Sequence, residues 1–223
     1  MNYFDLHTHT RYSKKCGAIS PKKLVHTAMQ KGLDGIAVTD HDTIDGALEA
    51  KQYETEAFAV IIGCEVTTEE GEITGLFLHQ PIISEGAEDV IDEIHGQGGI
   101  AVVPHPFDTY RSKRLKDVNK YCSKLDAIEV FNSRCIDAKS NIEARQFAME
   151  NDMSMVGGSD AHNMNEIGKG YTSVPEREGY DTKDLILKAI QSYSTDGNGN
   201  KSSLYNHAWT KLRKWRRRFV SNR

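Results

Sequence analysis

The sequence lacks the features that mark several large classes of protein. No apolar run approaches the roughly 18 residues needed to span a bilayer, and the first residues do not combine a basic start with an apolar stretch. Only four cysteines occur, none in a Cys-x-x-Cys pair, which does not suit a disulfide framework in a chain of 223 residues. With 5 Pro and 18 Gly, collagen-like and low-complexity readings are also excluded. We therefore expect a cytoplasmic globular protein with reduced thiols.

Two common catalytic signatures are missing as well. There is no phosphate-binding Gly-x-x-x-x-Gly-Lys-Ser/Thr loop, and no Gly-x-Ser-x-Gly segment that would form a nucleophile elbow. Both P-loop nucleotide hydrolysis and serine-hydrolase chemistry are therefore set aside. Any catalysis has to come from other residue types.

Acidic residues are absent from one region, residues 201–223, which contains eight Lys and Arg. The whole chain has 28 Lys and Arg against 32 Asp and Glu, so removing these eight leaves 20 against 32, a net charge of −12, for residues 1–200. Such an acidic body has little sequence-independent affinity for nucleic acid. The polar stretch 196–203 reads as a linker between a domain at 1–195 and the basic segment.

Residues 204–223 are predicted to form a basic amphipathic helix. Tyr205, Trp209, Leu212 and Phe219 fall close to one helical face, with lysines and arginines on the other side. Such a helix can pack on the body or on another subunit, lie on an anionic membrane surface, or bind nucleic acid. The opposite charge of residues 1–200 favours packing.

Short apolar, β-branched runs alternate with segments of helical spacing, which predicts an α/β domain with a largely parallel sheet. The predicted strands are Tyr3–Leu6, Gly35–Thr39, Ala59–Cys64, Glu72–Leu78, Ile100–Pro104, Ala127–Phe131 and Ser154–Gly157. The predicted helices are Pro21–Lys31, Asp45–Glu56, Ala87–Gly96, Lys113–Ser123, Ala138–Asn151 and Lys183–Ser192. Only 66–71 separates the third and fourth strands, too short for a helical crossover, so these two should form an antiparallel hairpin.

Histidines and carboxylates cluster directly after five of these strands. They are His7 and His9, His41, Glu65, His105, and Asp160 with His162. The loops at the carboxyl ends of strands are where α/β folds place their active sites. Imidazoles combined with a bridging carboxylate suit a centre of two or more Mn, Fe or Zn ions. Independent histidines would not all fall at the same strand ends, so we predict a metal centre there.

The hairpin decides between two further candidates on the fourth strand. Its reversal places the start of that strand, with Glu72, beside Glu65, and its end, with His79, at the opposite rim. Glu72 is therefore predicted as a ligand and His79 as a residue remote from the centre.

The same residues carry a family resemblance. The ordered segments Asp5–Ser13, Thr39–Asp42, Gly63–Glu65, Pro104–Pro106 and Gly158–His162 resemble those of the polymerase and histidinol phosphatase (PHP) superfamily of metal-dependent phosphoesterases. The resemblance implies a distorted seven-stranded (β/α) barrel with two or three divalent ions at the carboxyl ends of its strands. It also implies a phosphorylated small molecule or nucleotide as substrate.

Carried over by position, the resemblance implies ligands for each ion. His7, His9, Glu65 and Asp160 would hold the first ion. Glu65 would bridge to a second ion completed by His105, and His41 and His162 would hold a third. Two positions depart from the family pattern. Cys16 lies where a carboxylate ligand of the third ion is expected, and it is either a thiolate ligand or a small packed residue. Glu72 replaces a histidine, and its oxygens would favour Mn or Fe at the second site.

The expected reaction is attack of a metal-bridging hydroxide on phosphorus, with Asp160 and His162 as the catalytic residues at the centre. Arg111 and Arg134 follow strands and could bind the substrate phosphate through their guanidinium groups, or instead face solvent or form ion pairs. Asp5, Asp40 and Asp42 are expected to accept hydrogen bonds from the ligand imidazoles. The alternatives are a metallo-amidohydrolase and a metal-containing binding or regulatory module without hydrolysis.

Overall fold

The elements of the chain alternate as an α/β domain requires. The computed structural model describes residues 1–203, 205–206 and 208–213. The strands are β1 (Asn2–Thr8), β2 (Gly35–Val38), β3 (Ala59–Thr67), β4 (Glu72–Leu76), β5 (Ile100–Val103), β6 (Ala127–Asn132), β7 (Ser154–Gly158), β8 (Gly170–Val174) and β9 (Asp196–Gly199). The helices are α1 (Pro21–Gln30), α2 (Asp45–Lys51), α3 (Ala87–Gly96), α4 (Val118–Tyr121), α5 (Ala138–Glu150) and α6 (Thr182–Gln191).

The strands form one sheet in the order β7-β6-β5-β4-β3-β2-β1-β8-β9. β1, β2 and β3 are parallel, as are β5, β6 and β7. The predicted antiparallel hairpin of β3 and β4 is confirmed, and β4 is also antiparallel to β5. All seven predicted strands are present, but the sheet contains nine strands in the described part of the chain, so the expected count of seven is wrong.

The sheet curls until β1 meets the end of β7. The amide of Asp160 donates to the carbonyl oxygen of His7 (2.7 Å), and the amide of His9 donates to that of Ala161 (3.0 Å). Gly158 allows this approach, because a Cβ atom at its position would lie 2.3 Å from the His7 Cβ. The sheet is thus barrel-like and nearly closed, and its closure brings the first and last predicted ligand segments together.

Apolar side chains of the helices pack against the strands of this curled sheet in separate clusters. α3 buries Val90, Ile91 and Ile94 beside Ile73 and Ile128, as its apolar spacing predicts. Leu185, Ile186 and Ile190 of α6 pack in a second cluster with strand residues that include Ile61. These helices therefore cover the sheet with their apolar faces.

One predicted helix is much shorter in the structure. The spacing predicted Lys113–Ser123, but α4 contains only Val118–Tyr121. The preceding residues pair with the β3–β4 hairpin instead, since the Lys113 carbonyl oxygen accepts from the amide of Glu72 (2.7 Å) and the Lys116 amide donates to the carbonyl oxygen of Glu70 (3.2 Å). These tertiary hydrogen bonds replace the helical ones.

The stretch predicted as a linker, 196–203, is partly a strand. Asp196–Gly199 forms β9, antiparallel to β8, and neither strand was predicted. β9 is rich in glycine because it lies close to its neighbours: a Cβ atom at Gly197 would be 2.3 Å from the carbonyl oxygen of Val156. A strand of this composition has no apolar pattern to reveal it.

The predicted C-terminal helix of residues 204–223 is helical at 205–206 and 208–213, and the other residues of that prediction lie outside the described part of the chain. Within the described residues, no helix has the length and apolar character needed to cross a membrane.

Candidate metal centre

Eight of the nine predicted ligands converge at one rim of the sheet. They come from five places along the chain: the end of β1, the loop after β2, the β3–β4 hairpin, the loop after β5 and the loop after β7. The backbone of the loop after β2 continues to pair with β3, and this pairing sets His41 directly beside Glu65. The convergent residues are His7, His9, His41, Glu65, Glu72, His105, Asp160 and His162.

Glu65 lies at the middle of the cluster with an oxygen facing each side. One oxygen, Oε1, is 3.1 Å from His105 Nε2 and 3.6 Å from His7 Nε2. The other, Oε2, is 3.0 Å from His41 Nδ1 and 3.5 Å from His9 Nε2. A carboxylate with both oxygens turned to different imidazoles has the arrangement needed to bridge two cations.

Asp160 provides a second carboxylate on the other side of His9. Its Oδ1 is 3.3 Å from His9 Nε2 and 3.3 Å from His162 Nδ1. Asp160 and His105 both have positive φ angles, 53° and 33°, which are uncommon for residues other than glycine. Such backbone conformations concentrate at functional sites, where the surrounding structure holds them in place.

The donor atoms fall into four overlapping groups, and within each group they lie within 4.8 Å of one another. The groups are His9–His41–His162, His7–His9–Glu65, His7–His105–Asp160 and His41–Glu65–Glu72. Among the described residues, several of these buried atoms have no hydrogen-bond partner: His7 Nε2, His9 Nε2, His41 Nδ1 and Asp160 Oδ1. Unsatisfied buried polar atoms are costly. A set of nitrogen and oxygen donors aimed at one another therefore fits divalent cations.

The two candidates weighed on the fourth strand, Glu72 and His79, and the ninth predicted ligand, Cys16, lie in different places. Glu72 Oε1 is 3.8 Å from His41 Nδ1 and its Oε2 is 3.9 Å from His105 Nε2, so the β3–β4 hairpin places Glu72 at the centre. His79 is exposed, and its amide donates to Gln97, away from this rim. Cys16 is buried beside His41 but belongs to none of the four donor groups.

The pKa values of several groups in the cluster are shifted by burial and by the neighbouring charges. Burial opposes the charged form of His7, but Glu129, Asp160 and Glu65 outweigh it and raise its pKa well above the usual value. Burial lowers the pKa of His162 well below the usual value, so this imidazole is neutral. Burial also opposes ionisation of Glu65, but the pKa of this carboxyl falls well below its usual value because His41 and His7 lie beside it.

Glu129 was not predicted, although it contacts the centre. It lies on β6, is buried, and its Oε1 is 3.0 Å from His7 Nδ1 while its Oε2 accepts from the amide of His105 (2.8 Å). This carboxylate orients His7 so that Nε2 faces Glu65. The sequence feature that could have indicated Glu129 is that it is the single acidic residue within the apolar strand Ala127–Asn132.

The predicted role of three aspartates as partners of the ligand imidazoles is not what the described contacts show. Asp5 accepts from the amides of Ser159 (2.8 Å) and Gly168 (2.8 Å). Asp40 accepts from the Ser13 hydroxyl (2.6 Å), and the Ser13 oxygen is in turn 3.2 Å from His9 Nδ1. Asp42 accepts from the amide of Thr67 (2.8 Å). These carboxylates hold the loops that carry the imidazoles.

We expect Glu129→Gln to weaken metal binding by about 10- to 100-fold, because an amide orients His7 without the charge that makes it a stronger ligand. Metal content after dialysis against a graded series of chelator concentrations measures this change. Glu143→Gln, at a half-exposed position on α5, is the control and should bind metal as the wild type does. Equal metal retention by the two variants would contradict the role of Glu129.

The two predicted phosphate-binding arginines have different environments. Arg111 Nη2 donates to Asp160 Oδ2 (2.5 Å) and its Nε donates to Asp108 (3.1 Å), and the side chain is 23% exposed. Arg134 is 6% exposed and its Nη1 donates to Glu166 (2.6 Å). Both line a cleft of about 1040 Å³ that opens over the metal-ligand cluster. Arg111 is the better placed to contact a bound phosphate, since 23% of its side chain is exposed against 7% for Arg134.

Comparison with known proteins gives a family match. A family model described as "PHP domain" matches residues 5–193. Two uncharacterised proteins of Methanocaldococcus jannaschii are similar to the chain: one is 40% identical over 140 residues, covering 58% of this chain and 81% of its own length. The other is 30% identical over 215 residues, covering 92% of this chain and 86% of its own length.

Two solved structures share the fold. A two-domain protein from Bacteroides vulgatus, described as containing a predicted PHP-like metal-dependent phosphoesterase, superposes with a TM-score of 0.72 at 20% identity, over 89% of this chain and 65% of that chain. An amidohydrolase from Chromobacterium violaceum gives a TM-score of 0.65 at 17% identity, over 85% of this chain and 96% of that chain.

Proposed function

The chain belongs to the PHP domain family, and we propose that it is a metal-dependent phosphohydrolase that cleaves phosphomonoesters, small nucleotides or oligonucleotide ends. The observation that carries this proposal is the position of Glu65, whose two oxygens lie between 3.0 and 3.6 Å from four imidazole nitrogens. A single buried carboxylate shared in this way is what adjacent cations require. Two or three divalent ions, Mn, Fe or Zn, are proposed as cofactors.

Each residue has a defined part in the proposal. His7, His9, Glu65 and Asp160 would hold one ion, Glu65, Glu72 and His105 a second, and His41 and His162 a third, with Cys16 as an additional candidate ligand. Bound at this position, such ions activate water and offset charge on the phosphoryl oxygens. Asp160 and His162 are proposed as the catalytic residues because they lie at the centre and also line the cleft.

Arg111 is proposed to orient the substrate phosphate. Its guanidinium group already donates to carboxylate oxygens of Asp160 and Asp108, and two oxygens of a phosphate can accept from the same kind of N–H groups. Nearby Asp160 and Asp108 raise the pKa of Arg111 above its usual value despite burial, so the group stays cationic at the pH of any assay. Arg134 is proposed only to support the site, through Glu166.

The test combines metal analysis with turnover. Metal content is measured by mass spectrometry on protein purified without added metal, and phosphate release is measured from an aryl phosphate and a nucleotide panel with added Mn. We expect two or three ions per chain and turnover that Asp160→Asn abolishes. Metal without phosphate release, but with release of product from an amide panel, would instead indicate an amidohydrolase. Metal without either activity would indicate a binding or regulatory module.

Removing the metal is also expected to lower thermal stability. A ligand that binds only the folded state adds about 4 kcal/mol when its concentration is 1000 times its dissociation constant. For a domain of this size each kcal/mol moves the melting temperature by roughly 2–4 °C, which predicts a shift of roughly 10 °C. Calorimetry before and after chelation measures it, and re-addition of Mn should restore the original value. An unchanged melting temperature would show that the donor cluster holds no ion.

A further inference from the structure

The C-terminal helix, described at 205–206 and 208–213, turns its polar side toward the body of the protein. Asn206 Nδ2 donates to the Ser202 hydroxyl (3.0 Å), and the Thr210 hydroxyl donates to the Asn206 carbonyl oxygen (3.0 Å). Asn206 and Thr210 are only 6% and 4% exposed. They are four residues apart, so they form one buried stripe along the helix. The helix therefore rests on the domain through polar side chains.

Ser202 anchors the start of this helix. Its amide donates to the carbonyl oxygen of Ser133 (2.6 Å), and its hydroxyl donates to Glu166 Oε1 (2.8 Å). Glu166 is buried, and it also accepts from Arg134 (2.6 Å) and from the amide of His162 (2.9 Å). These buried hydrogen bonds fix which side of the helix meets the domain and which side meets solvent.

The apolar side of the helix faces solvent. Tyr205, Trp209 and Leu212 are 73%, 47% and 43% exposed, and Ala208 is also exposed. Their spacing of three and four residues places them on one face, which we call the apolar stripe. The helices α3 and α6, by contrast, bury their apolar residues. The aromatic face predicted to pack on the body therefore points outward, where contact with water is unfavourable.

Positive charge accompanies the apolar stripe. Residues 201–223 contain eight Lys and Arg and no Asp or Glu, whereas residues 1–200 carry a net charge of −12. Lys211 is exposed next to Leu212. Helices that combine an apolar face with many cations lie in the interface of anionic bilayers. The charge of this segment is thus complementary to an anionic surface, although the rest of the chain is acidic.

A second pair of exposed apolar residues lacks this charge. Ile142 and Met149 of α5 are 64% and 67% exposed, and they lie on one face because they are seven residues apart. The two basic residues of α5 are matched by Glu143 and Glu150, so the helix has no net charge. Exposed apolar side chains alone therefore do not distinguish the C-terminal helix. Their combination with a wholly basic segment does.

Two other occupants fit this face less well. Nucleic acid binds cations through its phosphates and can stack on Trp209, but it offers no hydrocarbon phase for Ala208 and Leu212. A second copy of the chain would bring together two segments that each carry eight positive charges, and their repulsion opposes pairing. A bilayer with anionic headgroups supplies both the apolar phase and the negative charge.

We propose that the C-terminal helix binds the surface of an anionic lipid bilayer. Tyr205, Trp209 and Leu212 enter the boundary between headgroups and acyl chains, and the basic residues of the segment contact the lipid phosphates. This surface is distinct from the metal centre, so lipid binding does not depend on the proposed hydrolase activity.

Vesicle binding by the full chain tests the proposal. Vesicles of equal parts phosphatidylcholine and phosphatidylglycerol should sediment with the protein, and vesicles of phosphatidylcholine alone should bind it much more weakly. Trp209→Gln combined with Leu212→Gln should weaken binding by at least about tenfold, because the inserted apolar surface is lost. Lys211→Glu should weaken it by about tenfold, because the substitution reverses a charge near the headgroups. High salt should also lower the affinity of the wild type.

Matched controls make each change at another exposed place. Ile142→Gln combined with Met149→Gln removes a similar exposed apolar pair from α5, and Lys23→Glu makes the same charge reversal on α1. Both proteins should bind vesicles as the wild type does, and circular dichroism shows whether each variant is folded. Equal losses of affinity in the C-terminal variants and in these controls would overturn the proposal, as would no binding to the anionic vesicles.

Fluorescence locates the contact. Trp209 and Trp215 are the only tryptophans of the chain, so Trp215→Phe leaves Trp209 as the single reporter. On anionic vesicles its emission should shift to shorter wavelength and be quenched by lipids brominated in their acyl chains. An unchanged emission on vesicles but quenching by duplex DNA would replace the bilayer with nucleic acid as the partner. An unchanged emission and a dimer that Trp209→Gln dissociates would show that a second copy covers the apolar stripe.

Discussion

Glu65→Gln is expected to reduce kcat/KM for phosphate release by on the order of 1000-fold or more, because metal ions supply several kcal/mol of transition-state stabilisation and each 1.36 kcal/mol is a factor of ten. The substitution keeps the shape of the side chain and removes its negative charge. In the wild type that charge faces the nitrogens of His7, His9, His41 and His105 within 3.6 Å. An amide presents one oxygen and one donor, so it cannot serve two cations at once.

Metal content should fall together with activity, since the lost carboxylate belongs to two of the four donor groups. Steady-state kinetics and mass spectrometry of the purified variant measure the two effects. Glu69→Gln, at an exposed position of the same hairpin, is the control and should match the wild type in both. Circular dichroism shows whether the variant is folded. A folded Glu65→Gln protein with full metal content and normal turnover would refute the bridging role.

Gly158→Ala is expected to destabilise the domain by about 3 kcal/mol, the upper part of the range for an overpacked site. Its Cβ would lie 2.3 Å from the Cβ and 2.8 Å from the amide nitrogen of His7. These are backbone-fixed atoms, so β7 has to move away from β1. That movement would break the hydrogen bond from Asp160 to the carbonyl oxygen of His7. Urea denaturation measures the loss of stability.

Gly96→Ala is the matched control for this change. Gly96 is exposed at the end of α3, and a Cβ atom there would meet nothing within 4 Å. Because alanine is the better helix former, this variant should be more stable than the wild type by about 0.5–1 kcal/mol. If both variants had the same stability as the wild type, the close contact of β1 and β7 would not exist in solution. Gly158→Ala should in addition lower activity, because His7 moves with β1.

Some of the candidate ligands could be predicted because local backbone geometry determines which way their side chains face. Residues two apart on an extended chain face the same side, so His7 and His9 could be assigned to one centre from their spacing. The short connection between β3 and β4 permits only a hairpin, and this excluded His79 in favour of Glu72. Both inferences need only the period of a strand and the length of a loop.

The residues that support these ligands were not predictable in the same way. Glu129 lies 122 positions from His7, and Glu166 lies 36 positions from Ser202, so neither pair shares a local pattern. The carboxylate of Asp5 accepts from a loop amide and that of Asp40 accepts from the Ser13 hydroxyl, whereas the prediction was that both accept from imidazoles. Which polar groups meet depends on how the sheet closes.

The sequence by itself determined the candidate site of this protein: an α/β chain whose strands end in imidazoles and carboxylates, with the candidate ligands indicated by strand period, hairpin length and the family resemblance. Only the tertiary structure decided how many strands the sheet has, that α4 is short, and that the polar face of the C-terminal helix turns inward. The physical reason is the distance along the chain over which each interaction acts. Strand period and turn length act over a few residues, whereas β9, Glu129 and the cleft wall depend on contacts between segments that are distant in the chain, where packing and hydrogen bonding override local preference.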